Sequence, residues 1–111
     1  MKRFARVFPD SLAIVAFDGR KLMGWALAFE HESTVLLNLF VYPRYRTSGV
    51  ATGLVQNALK EFPVITLAEW NEETRRFFRG LRKKFPEKIA ICNWSRRREK
   101  YSGFIEAVEK H

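Results

Sequence analysis

The sequence predicts a small α/β domain in which an antiparallel meander runs into a β-α-β crossover and closes on a C-terminal helix. Three observations predict it. Segment 34–42 (TVLLNLFVY) is apolar on both of its alternating faces, as a strand in the middle of a sheet should be. The segments before it carry strand patterns broken by turn signals, and those after it change to helical spacing, then strand, then helix. The 111 residues, 47% hydrophobic and 29% charged with ten Phe, three Trp and three Tyr, supply one core, so 1–111 reads as a single domain.

Each element has its own signal. Residues 4–7 make a short strand, and 12–17 (LAIVAF) make a second, rich in apolar and β-branched types. Asp18-Gly19 is a hairpin turn signal, followed by a returning strand over 22–30. A second turn at 31–33 leads into 34–42, where Val35, Leu37, Leu39 and Val41 share one face and Leu36, Phe40 and Tyr42 the other. Helices are expected to cover both faces. Pro43 has no N–H to donate and ends the strand.

From Gly49 the pattern is helical, with Val50, Leu54, Ala58 and Leu59 on one face and Val55 beside them, until Pro63. Residues 64–69 (VITLAE) form a strand that a right-handed crossover places parallel to 34–42. Asn71 or Thr74 caps a second helix reaching about residue 84. Phe77, Phe78, Leu81 and Phe85 form its buried stripe, and Arg75, Arg76, Arg79, Arg82 and Lys83 its wet side. An edge strand follows at 88–92. A last helix spans 95–110, where Tyr101, Phe104, Ile105 and Val108 repeat at helical spacing despite Gly103.

Composition narrows the function classes. The apolar run at 12–17 has six residues, against about 20 for a spanning helix. The charged start, Met1-Lys2-Arg3, is broken by Pro9 and Asp10 before any signal-peptide core can form, so a cytoplasmic chain is expected. One cysteine, Cys92, excludes an internal disulfide, and with two histidines (His31 and His111) no metal centre is expected. Cys92 falls in an apolar strand and reads as core rather than nucleophile. The formal net charge is +8, and residues 74–100 hold 11 Lys/Arg against two acidic residues. Such a cluster suits an anionic partner: coenzyme phosphates, nucleic acid or an acidic protein surface.

The stretch that carries chemistry is Val41-Tyr42-Pro43-Arg44-Tyr45-Arg46-Thr47-Ser48-Gly49-Val50-Ala51. It joins a buried strand to an amphipathic helix. The first N–H groups of a helix lack internal partners, and the helix dipole adds positive charge there. Gly49 and Ala51 are small enough for a diphosphate to approach the backbone, and Arg44 and Arg46 add charge. The same residues also suit a tight turn in which Gly49 serves packing alone.

Arg46-Thr47-Ser48-Gly49-Val50-Ala51 resembles the Arg/Gln-x-x-Gly-x-Gly/Ala signature of the GNAT superfamily (GCN5-related N-acetyltransferases). As in that family, the motif follows a meander of three strands, the last ending in Val-x-Pro, and precedes a strand and a second helix. The resemblance spans about 12–91. It implies a GNAT-like mixed sheet and an acetyltransferase using acetyl-CoA. Backbone N–H groups of Arg46, Thr47, Ser48, Gly49, Val50 and Ala51 would hold the pyrophosphate. The pantetheine would lie along Phe40 and Val41, where the strand diverges from 64–69. The Val41 N–H would polarise the thioester carbonyl as an oxyanion hole does. An amine would attack directly, with catalysis resting on positioning and charge stabilisation. Asn71 stands where the family often has Asn after the next strand.

The departures matter as much. Seven residues after Asn71, Phe78 stands where the family usually has the Tyr that protonates the departing thiolate. The Gly-Phe that usually follows this helix is absent, with Lys84-Phe85 nearby instead. Glu69 ends its strand and is the candidate general base through a water, with a plain solvated carboxylate as the alternative. Glu30, Glu32 and His31 are weaker candidates, as turn residues. Only residues 8–11 separate the first two strands, where the family places two helices that wall the acceptor site. The acceptor side should therefore be open, or completed by a second subunit, which favours a macromolecular acceptor. The last helix stands in place of a seventh strand and could serve dimerisation. Three readings follow: an N-acetyltransferase acting on a primary amine such as a protein lysine or N-terminus, a GNAT-shaped module without catalysis, and a nucleic-acid-binding protein using the basic cluster with Trp94 and Tyr101.

Overall fold

The computed structural model describes residues 2–6, 12–31, 33–69 and 71–93. They form one six-stranded sheet whose spatial order equals the chain order. Its strands are β1 (Lys2–Arg6), β2 (Ala13–Asp18), β3 (Lys21–His31), β4 (Thr34–Val41), β5 (Ile65–Glu69) and β6 (Ile89–Asn93). Between them lie a 3-10 turn (Pro43–Tyr45) and the helices α1 (Val50–Leu59) and α2 (Glu72–Lys84). The first four strands pair antiparallel, and β4–β5 and β5–β6 pair parallel. The mixed sheet expected from the sequence is therefore present. The last predicted helix, with Trp94 and Tyr101, lies outside the described residues.

The β2–β3 hairpin turns one residue later than the Asp-Gly signal suggests. Asp18 still pairs with Lys21, so Gly19 and Arg20 are the turn residues. Gly19 takes φ +61 at the first of them, the position where a type II′ turn needs glycine. Next to this turn the β2–β3 register slips between Ala16 and Phe17.

One cluster forms the core. Ile14, Ala16, Ala26, Leu37, Val41, Ile65 and Leu67 project from one face of the sheet onto Leu54, Val55 and Ala58 of α1 and Phe78 and Leu81 of α2. The alternating split of β4 holds: Leu37 and Val41 join this core, whereas Leu36 packs on the other face with Phe29, Ala68 and Cys92. The expectation of helices over both faces does not hold among the described residues. Two successive crossovers running in the same direction along the sheet leave α1 and α2 on one side.

The α2 stripe also needs correction. Phe78 and Leu81 are buried and Phe85 packs against the core, but Phe77 is 43% exposed. At about 100° per residue Phe77 falls beside the 78–81–85 stripe, not within it. Of the predicted wet side, Arg76, Arg79, Arg82 and Lys83 are exposed, while Arg75 is half-buried. No described helix is long and apolar enough to cross a membrane.

Candidate functional site

The site is a gap in the sheet. Strands β4 and β5 are paired at one position, Leu36 with Thr66, and β4 runs on for five residues beyond it without its neighbour. Its other edge stays fully paired with β3, from Thr34–His31 to Val41–Gly24. Opposite residues of an antiparallel ladder alternate between bonded and non-bonded pairs. Because the Tyr42 N–H donates to the Met23 carbonyl at 3.0 Å, the next pair, Val41–Gly24, is non-bonded. The N–H and carbonyl of Val41 therefore point away from β3 and into the gap, and the same alternation turns those of Leu39 the same way. Gly24 is what lets the strands close here, since a Cβ at that position would stand 2.4 Å from the Phe40 carbonyl oxygen.

The gap opens into a groove of about 610 Å³ that continues through the sheet. On the helix side it is lined by Leu37, Leu39, Val41, Phe77 and Phe78, and on the opposite side by Leu36, Asn38, Phe40 and Ala68. Polar residues, Arg46, Thr47, Asn71, Glu73 and Thr74, gather at its mouth between the loop and α2.

The loop at this mouth is shaped by two left-handed residues, Thr47 (φ +70) and Gly49 (φ +84), the second being the N-cap of α1. The Ser48 hydroxyl donates to the Tyr45 carbonyl, and Lys2 of β1 donates to the Ser48 carbonyl. Among the described residues no side chain caps α1. Its first turn closes with the Gly53 N–H donating to the Gly49 carbonyl at 3.1 Å. Among the described residues, the N–H groups from Thr47 to Thr52 make no well-aligned hydrogen bond to a backbone acceptor. The Arg46 N–H differs, since it donates to the Pro43 carbonyl at 3.3 Å. Val50 and Ala51 turn their side chains into the core, and of the predicted residues 46–51 Arg46 and Thr47 line the groove while Ser48, Gly49, Val50 and Ala51 do not.

Arg46 bridges the mouth. Its Nε donates to the Val41 carbonyl at 2.9 Å, its Nη1 reaches Glu73 Oε1 at 3.4 Å, and its guanidinium lies 5.9 Å from the centre of the Phe40 ring. Nothing in the sequence announced the link to Glu73, because the two residues are 27 positions apart and meet across the gap. Arg44 lies over Tyr45 instead. Asn71 is the N-cap of α2, accepting from the Thr74 N–H at 2.8 Å while the Thr74 hydroxyl accepts from the Asn71 N–H at 3.1 Å.

The remaining candidates are dispersed. Glu69 has a side chain only 13% exposed, and Oε1 accepts from Arg75 Nε at 3.2 Å; Arg75 also bonds Glu72 at 2.9 Å. Glu69 lies beside the groove without lining it. Phe78 is 6% exposed and both lines the groove and belongs to the core. Glu30 is exposed at the far end of β3, and Glu32 lies outside the described residues. Cys92 packs with Leu36. Among the described residues no group of three or more His, Cys, Asp or Glu could hold a metal ion.

Fold and site together define a mixed-sheet α/β protein with a groove where two strands part, and with the loop that lines its polar mouth running on into the start of a helix. The model of the acetyltransferase (GNAT) family matches residues 2–82, and the chain belongs to that family. Comparison with curated proteins and with solved structures gave no match.

Proposed function

We propose that this protein moves the acetyl group of acetyl-CoA to a primary amine. The observation that carries the reading is the parting of β4 from β5 directly beside the uncapped start of α1. An elongated acyl-coenzyme needs both features: a slot for a thin pantetheine arm and a set of donors for a diphosphate. The slot borders Phe40 and Val41, and the donors are the N–H groups from Thr47 to Ala51, aided by the helix dipole. The left-handed backbone at Thr47 and Gly49 turns the loop into the helix without a side-chain cap, and the Lys2 ammonium beside it adds positive charge. Arg46 is held by an ion pair whose side chains are 44% and 80% exposed, and such pairs are worth at most about 1 kcal/mol. Its guanidinium can exchange Glu73 for a phosphate at little cost.

Acetyl-CoA supplies the activated acyl group: the amine nitrogen forms a bond to the thioester carbon, the C–S bond breaks, and the proton lost by nitrogen ends on sulfur. The Val41 N–H, aimed into the gap, is the donor available to the carbonyl oxygen. Phe78 offers no proton to the sulfur, so charge stabilisation and positioning carry the reaction. Glu69 keeps its proposed role as a base acting through water; the Arg75 contact fixes its orientation. A cell interior is where acetyl-CoA is available, which agrees with a cytoplasmic protein.

Isothermal titration calorimetry with acetyl-CoA, followed by thiol release in the presence of amines, tests the proposal. Saturable binding with acetyl-dependent thiol release is expected. Binding without release would make the chain a coenzyme-binding module without catalysis, and no binding would remove the reading.

A further inference from the structure

Both helices lie on one side of the sheet, yet the other side is apolar too. In the β3–β4 ladder Trp25 stands opposite Phe40, Leu27 opposite Asn38 and Phe29 opposite Leu36, so these six share a face. It is the face away from the helices, because Leu36 packs there with Phe29, Ala68 and Cys92. Ala13 and Val15 of β2 join it through their pairing with Leu27 and Trp25. None of these positions is charged, and Leu36 at the centre is only 3% exposed, as a residue of an interior would be. Among the described residues no helix packs on this face. An apolar surface of this extent marks a place where something docks.

We propose that the occupant is the chain's own segment 94–111, docked across this face as an amphipathic helix. The inference does not depend on the transfer reading above. Three observations select this occupant. The first is position: β6 ends at Asn93, one residue past Cys92, so the chain leaves the sheet at the edge of this very face. The second is length. A helix over 95–110 is about 24 Å long. The six strands, about 4.8 Å apart, span about the same distance. The third is pattern. At about 100° per residue, Tyr101, Phe104, Ile105 and Val108 fall within one arc, with Glu99, Glu106 and Lys110 on the far side. A second copy seated sheet to sheet would cover the face but leave this stripe in water. The segment covers both surfaces at once, and its tether gives it an effective concentration that a separate molecule lacks. Leu36, Phe40 and Ala68 also line the groove, so the docked segment forms its wall on that side.

The test uses the full chain. With methyl groups labelled in carbon-13, NMR should show NOE contacts from Ile105 and Val108 to Leu27 and Leu36. Labelled chains are then mixed with unlabelled ones, and an isotope filter passes only contacts between molecules; there the same contacts should vanish. Their absence from the first experiment would overturn the proposal. Their persistence in the second would overturn it as well, and would put a second copy on the face. Cys92, the one cysteine of the chain, gives an independent readout. Phe104→Glu with Ile105→Glu should uncover the face and speed the reaction of this thiol with a soluble disulfide reagent about tenfold or more, while Glu106→Gln leaves the rate unchanged. A folded double variant whose thiol reacts no faster would also overturn the proposal. Should the double variant fail to fold, the NMR contacts of the unsubstituted chain still decide.

Discussion

Two regions meet where β4 runs out, and they are built in opposite ways. The loop into α1 is a short stretch of chain: a left-handed Thr47, a left-handed Gly49 and the first turn of the helix. The aromatic group beside it is made from residues distant in sequence, Trp25 against Phe40 and Tyr42, brought together by strand register. From Gly49 to Ala51 the loop presents main-chain groups, which any sequence of the right shape would present. Contacts in the aromatic group are side chains, which a single substitution removes. The loop should therefore be sensitive to changes in backbone shape, and the aromatic group to changes in side-chain identity.

The strongest way to break that comparison is Gly49→Glu. It places bulk and negative charge at the N-cap of α1, beside Lys2, and acetyl-CoA affinity by calorimetry should fall at least ~100-fold, the loss of one charge-assisted contact and more. Unchanged affinity would remove the mouth as the phosphate site. Gly49→Ala separates shape from charge, because it carries only the left-handed strain of about 1–2 kcal/mol in stability.

Gly24→Val tests the close approach of β3 and β4 beside the aromatic group through the backbone. A side chain there collides with the Phe40 carbonyl and Val41, and denaturant unfolding should show a loss of about 1–3 kcal/mol. If stability is untouched, β3 and β4 are not held as closely as this geometry requires.

Phe78→Tyr sharpens the comparison, since Phe78 is shared by the core and the groove. The expected outcome is a folded protein with turnover raised about tenfold or more by a new proton donor, read from thiol release. Unfolding, or loss of coenzyme affinity, would show that Phe78 is core alone and does not occupy the family's Tyr position.

A milder effect is expected from Asn71→Ala. It removes the α2 cap and should cost about 1 kcal/mol, visible as a lower thermal midpoint. The smallest effect on coenzyme binding belongs to Arg79→Ser with Arg82→Ser, on the exposed face of α2 away from the groove. Affinity for acetyl-CoA should not change. If the basic surface serves nucleic acid, the same pair should weaken binding in fluorescence anisotropy and lower its salt dependence by about two phosphate contacts. Failure to bind nucleic acid at low salt would leave the cluster for an acidic partner or for solubility.

Much of this protein was legible before any coordinates. The order of strands and helices follows from local patterns: apolar alternation at 34–42, Pro43 as a stop, and the helical spacing from Val50 to Ala58. The loop from Arg46 to Ala51 was legible because its demands are local too, with glycine where the backbone must turn left-handed. Asn71 as a cap could be read from its spacing to Thr74. Even the shift of the first hairpin by one residue concerns only which pair of neighbours closes the turn.

Tertiary structure alone decided the rest, and the reason is that these features depend on register and on distance between strands. The family resemblance implied that β4 and β5 part, and they do, but where the pairing stops, at Leu36, cannot be read from either strand, since both are apolar and regular. Which way the Val41 N–H points depends on the phase of the β3–β4 ladder. Arg46 meets Glu73 only because the gap brings the loop and α2 to one mouth. Phe77 and Phe78 look alike in sequence, yet one turn-fraction of helix leaves the first exposed and buries the second. Local chemistry determined the shape of the loop at the helix start; packing determined where the opening lies and which side chains line it.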